Sequence, residues 1–157
     1  MAQRPAAATE VARHLWARAA GDTDSPEEVA AAAERTCIQL RAGLGRWIGA
    51  MGYRALLDRA LVLMRAEHPE LGGLACYGGE EEMIAAAVRV HGAPKVAAGV
   101  VALVAGLVEL LGRIIGDEMA LRLVEQTDVH TGYDSVRPSP RGVVSMKARG
   151  ARDADAE

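Results

Sequence analysis

Phenylalanine is absent from this sequence of 157 residues, and aromatic residues of all kinds reach only 3%. Runs that alternate β-branched or aromatic with polar residues are missing too, which leaves no segment patterned as a strand. Cysteine occurs twice, as Cys37 and Cys76, with no CxxC spacing. That excludes a disulfide framework and a paired-cysteine metal motif, and it suits a reducing cytosol. Lysine occurs only at Lys95 and Lys147, so nearly every basic group is arginine. We read this as the codon bias of a GC-rich genome rather than selection for bidentate recognition. Net charge is −3, too weak and of the wrong sign to grip nucleic acid or an acidic membrane. The beginning of the chain lacks the continuous apolar stretch of a secretory signal. Arg4, Arg13 and Arg18 amid alanines have the composition of a mitochondrial presequence, but Glu10 speaks against one. A cytoplasmic location is the expectation.

What is present is a helix-forming alphabet. Half of the residues are apolar and a quarter charged, the balance of a globular domain. Alanine dominates the apolar half. It has the highest helix propensity and little bulk, so it favours helices that approach closely. The expected fold class is all-α: a single-domain bundle of five or six helices around a central apolar one. Residues 1–8 are expected to be a flexible start, 9–126 the bundle and 127–157 a disordered tail.

A short helix is expected from Thr9 or Glu10 to Ala20, ended by the turn residues Gly21-Asp22-Thr23-Asp24. Ser25-Pro26-Glu27-Glu28 is patterned as a capping box, with proline at the first helical position and Glu28 three residues after the cap. Val29, Ala33, Thr36, Leu40, Leu44, Trp47 and Met51 then recur at three- and four-residue steps, a helical stripe facing a core. Gly43, Gly45, Gly49 and Gly52 crowd the end of this stripe, and each costs about 1 kcal/mol relative to alanine inside a helix. A break or kink is expected near 49–52. A third helix, from about Tyr53 to Glu67, carries Leu56, Leu57, Ala60, Leu61 and Met64 on its apolar face and stops at His68-Pro69.

A glycine-rich connection over 69–79 leads to a fourth helix, Glu80 to about Val90, and a fifth from near Pro94 to Ile115. The fifth runs for 13 residues, Val96 to Val108, without a charge. A membrane span needs about 20, so burial at the bundle centre is the better reading and no membrane partner is expected. Gly116-Asp117 either ends that helix, with Asp117 capping a sixth to Gln126, or is passed straight through. After Thr127 the periodicity is lost. Arg137, Arg141, Lys147, Arg149 and Arg152 nearly cancel against Asp134, Asp153, Asp155 and Glu157, and no nucleic-acid partner is implied.

Motifs of chemistry are scarce. Gly43-x-Gly45 and Gly72-Gly73 lack the strand–turn–helix setting of a phosphate-binding loop. There is no HExxH and no GxSxG. The one polar cluster, around 68–82, offers His68, Cys76 and, from the end of the next helix, His91 as weak candidate metal ligands beside Glu70 and Glu80 to Glu82. The plainer reading is better. His68 is a helix-end residue, the glutamates favour a helix start, and carboxylates near Cys76 would raise rather than lower its pKa. No catalytic residue, metal or cofactor is assigned. On the apolar helix, Gly99, Ala102 and Gly106 form a small-residue stripe, continued by Glu109 and Arg113, which are four apart. Close intramolecular packing is the default for that stripe and a homodimer seam the alternative. Glu109 and Arg113 suit an intrahelical pair.

The stretches Tyr53-Arg-Ala-Leu-Leu-Asp-Arg-Ala-Leu and Leu110-Leu-Gly-Arg-Ile-Ile-Gly-Asp-Glu-Met-Ala-Leu-Arg-Leu-Val together resemble a group of small helical bacterial proteins without assigned function, over about residues 30–126. The resemblance implies a self-standing bacterial helical domain and carries over no catalytic residue.

Three functions remain open. The favoured one is a non-catalytic interaction or regulatory module that presents a helical surface, most simply to a second copy of itself. The second is a small-molecule sensor with an apolar ligand between helices, lined by Trp47, Met51 and Met64. The third is an enzyme or metal protein using the 68–82 connection. An exposed apolar patch favours the first, an enclosed void near Trp47 the second, and convergence of His68, Cys76 and His91 the third.

Overall fold

A computed structural model describes residues 6–22, 24–73 and 80–130. Among these residues five helices occur in the order α1 (Ala6–Ala20), α2 (Pro26–Met64), α3 (Glu80–His91), α4 (Ala93–Ile115) and α5 (Asp117–His130), with a 3-10 turn at Pro69–Gly73 before α3. No strand occurs among the described residues. The protein is an all-α bundle.

α4 is its axis and packs against every other element. Val96, Val100, Val104, Leu107 and Leu111 on it are almost wholly buried. Each such side chain is stabilised by about 1.5–3 kcal/mol on leaving water. α4 is also the one helix among the described residues long and apolar enough to cross a membrane, with a mean hydropathy of 2.1 over its most apolar window. Of that window, 61% is buried against the protein's own helices.

α1 lays Ala8, Ala12 and Leu15 into the core, and Arg35 of α2 donates to the Ala19 carbonyl at its end (2.7 Å). At the start of α2 the expected capping box does not form. The Ser25 hydroxyl donates to the Glu27 carboxylate (2.8 Å) instead of accepting from the backbone. The backbone N–H of Glu27 and then this hydroxyl hold the Glu27 carboxyl below its usual range. Proline at the first turn and the Val29 N–H to Ser25 carbonyl bond still start the helix.

The break expected near 49–52 is a bend at Gly49 (φ 75°, ψ 163°), and the helix resumes at once rather than after a connection. Before the bend the stripe is buried as far as Leu44, and Thr36 satisfies its hydroxyl on the Ala32 carbonyl (2.9 Å). Trp47 and Met51 are corrections to that stripe. They are 64% and 78% exposed. The first half of α2 runs alongside α4 in the same direction, since Val29 shares a cleft with Ala93 and Pro94. The second half returns, placing Met64 against Gly106. The bend therefore lies near the end of α4, and Trp47 and Met51 face solvent on either side of it.

The choice at Gly116 is settled in favour of two helices. Gly116 adopts φ 95°, its N–H closes on the Gly112 carbonyl (2.7 Å), and α5 begins at Asp117. A side chain at Gly112 would overlap the Asp117 carboxylate, so glycine there allows the tight corner. α5 runs to His130, four residues beyond the expected end at Gln126, and Thr127 is buried with its methyl packed onto Gly43. The boundary of the expected tail thus moves, and its remainder, 131–157, lies outside the described residues, as do residues 1–5 of the expected flexible start, whose residues 6–8 instead open α1 with Ala8 buried.

Candidate functional site

α2 closes with the Arg65 N–H on the Leu61 carbonyl and the His68 N–H on the Met64 carbonyl. Pro69 then prevents a further α-turn, and the chain tightens into the 3-10 turn that sends Leu71, fully buried, into the core. The same turn carries Glu70 inward, to 6% exposure. A buried carboxylate needs a partner, and His68 supplies it: Nδ1 lies 2.8 Å from Glu70 Oε1.

Gly99 of α4 makes room for this pair. A Cβ there would lie 2.9 Å from Glu70 Oε1 and 3.1 Å from a Leu71 methyl. Burial pushes the Glu70 carboxyl up. Its own backbone N–H, the bond to His68 and the charges of His68 and His91 together outweigh that, and the carboxyl is held below its ordinary range. The Nδ1–Glu70 bond fixes the imidazole ring and leaves Nε2 as its working atom.

His68 lines a cleft of about 430 Å³ between α1 and α4. Thr9, Arg13 and Trp16 form one wall from a single face of α1. The other is α4, with Ala97, Ala98, Val101, Ala102 and Ala105. Alanines leave the space, because neither helix sends a long aliphatic side chain between them. The arrangement offers an apolar trough, one aromatic wall, a guanidinium and an imidazole backed by a carboxylate. Among the described residues no hydroxyl or thiol bonds His68.

The other residues singled out from the sequence separate. Cys76 lies outside the described residues. His91 reaches Glu70 electrostatically, and among the described residues no group of three or more His, Cys, Asp or Glu side chains can hold a metal. Gly99, Ala102 and Gly106 do not form an outward face. All three are buried, with Gly106 against the Met64 methyl, so this stripe packs within its own chain and is already covered. Glu109 and Arg113 form the expected intrahelical pair (2.9 Å), with Arg113 exposed at the rim. The cleft beside Trp47, about 280 Å³ and lined also by Gly43, Arg46, Gln126 and Thr127, is open to solvent, and Met64 does not line it.

Sequence reasoning missed the α1–α4 cleft. Its signal is Arg13 and Trp16 three apart on α1 opposite a run of alanines on α4, which is visible only once the two helices are known to be neighbours. No protein-family model, curated protein or solved structure matches this chain.

Proposed function

We propose that this protein is a non-catalytic helical interaction module that pairs with a second copy of itself. The supporting observation is an apolar end to the bundle. Where α2 bends and α4 turns into α5, Met51, Ile114, Ile115 and Met119 are exposed, with Trp47 two residues before the bend. Met51 is 78% and Ile114 72% exposed. Single exposed apolar residues are normal on a protein surface, whereas several at one end of a fold suit a binding surface. Self-pairing fits because charges of both signs, Arg46 and Arg113 against Asp117 and Glu118, flank the patch. A two-fold arrangement can set each sign opposite the other. A cytoplasmic setting, and a place among the small bacterial helical proteins that residues 30–126 resemble, belong to the same proposal.

The test is solution mass by size-exclusion chromatography with light scattering over a range of concentrations. A dimer is expected, and Met51→Lys with Ile114→Lys should convert it to a monomer without loss of helical circular dichroism. A wild-type chain that stays monomeric at every concentration would defeat the proposal. So would a dimer untouched by both substitutions.

A further inference from the structure

We propose that the α1–α4 cleft is a binding site for a small organic carboxylate with an apolar body, whose charge is met by Arg13 and His68. The inference is independent of self-association, which uses the opposite side of Gly106 along α4.

Its first support is the shape and lining of the cleft. Ala102 and Ala105 form a buried floor, and Ala98 and Val101 lie nearer the opening. Trp16 is half-buried against the core and gives a flat wall. Such a trough accepts an alkyl chain or a single aromatic ring and rewards nothing polar along most of its length.

Its second support is charge. Arg13 is exposed on the wall, and among the described residues it enters no ion pair. Guanidinium is the side chain best matched to a carboxylate, through two parallel hydrogen bonds. His68 is the second ionisable group on the lining, beside the Thr9 hydroxyl, and its orientation is imposed by Glu70 from behind. With Nδ1 committed to Glu70, Nε2 carries a hydrogen toward the cleft only when the ring is protonated. Glu70 offsets that charge in a buried setting. The groups facing His68 are then Glu70 from the 3-10 turn, Arg13 across the cleft from α1 and His91 on the Glu70 side from α3. α4 contributes only apolar residues to the cleft.

The cleft therefore holds a ligand by its apolar body and selects it by its anionic head. A neutral alcohol of the same length should bind more weakly, since the guanidinium and imidazolium gain nothing from it.

The experiment is isothermal titration calorimetry of the full chain with decanoate and with 1-naphthoate, and with decanol as the neutral comparison. Saturable one-site binding of at least one carboxylate is expected, with decanol at least about tenfold weaker. Arg13→Gln should cost at least about tenfold in affinity, because it removes the guanidinium and leaves only His68 to meet the carboxylate. Ala98→Leu, which fills the cleft from its solvent side, should abolish binding while circular dichroism stays native. Arg59→Gln, on the exposed face of α2, should change nothing. His68→Gln should weaken carboxylate binding, because it removes the second group that meets the charge. Absence of saturable binding for both carboxylates overturns the proposal. Binding that survives both Arg13→Gln and Ala98→Leu also overturns it, since the ligand then sits elsewhere.

Discussion

Gly43 and Glu70 show how much a single position carries here. The Thr127 methyl rests where a side chain at Gly43 would be, so α2 and α5 meet almost backbone to backbone. Gly43→Ala would force Thr127, a residue on a packed helix, to move. We expect a loss of about 1–3 kcal/mol, read as a fall in melting temperature of several degrees. Glu70 makes a different prediction, about pH. Its folded carboxyl titrates below the ordinary value of 4.5. The unfolded chain therefore binds more protons than the folded one across that window, and stability rises with pH there. The contribution is complete above the ordinary carboxylate value and is lost as pH falls through the lower folded value. Melting temperatures measured from neutral pH down to about pH 3 should drop more steeply for the wild type than for Glu70→Gln. Parallel curves would mean that the His68–Glu70 pair adds nothing to the native state.

Among the helices, glycine is used in two opposite ways. Gly116 holds φ 95°, a conformation that L side chains rarely adopt, and it makes the corner between α4 and α5. Gly45 lies within helical backbone with open space where a Cβ would go. Gly116→Ala should therefore cost about 1 kcal/mol or more, and Gly45→Ala should stabilise by about 0.5–1 kcal/mol. Paired chemical denaturation curves check both, and equal signs would show that the corner is not strained. The glycines of α2 are all legible as helix weakeners, and their crowding points to a kink near 49–52. That Gly49 alone takes the positive-φ bend is not legible. The conformation depends on where the second half of α2 must go to reach Gly106, not on the residues beside Gly49.

At the scale of the whole molecule the bundle is organised by α4, whose long run without charge already marks it as central. The interior of the domain follows from periodicity: Val29, Ala33, Thr36, Leu40 and Leu44 in the first half of α2, Leu57, Ala60 and Leu61 in the second. The same periodicity overreaches at Trp47 and Met51, which lie on either side of the Gly49 bend and are exposed. The last described helix ends at His130, and the tail expectation for the rest gives a test. Truncation after His130 should leave the melting temperature unchanged, whereas truncation before Thr127 should lower it by uncovering Gly43. A large fall on removing only 131–157 would show that those residues dock on the bundle.

The sequence by itself determined the helices, their apolar faces and the absence of any short catalytic motif, because propensity and period are local properties of the chain. It also named His68 and Glu70 as members of one polar cluster. Only the tertiary structure decided that Gly99 and Gly106 are covered from within, that Glu70 is buried on His68 beneath α4, and that Arg13 and Trp16 face a row of alanines. Those outcomes rest on which helices become neighbours and at what register. Neighbour and register are fixed by the fit of whole surfaces, which no window of adjacent residues contains.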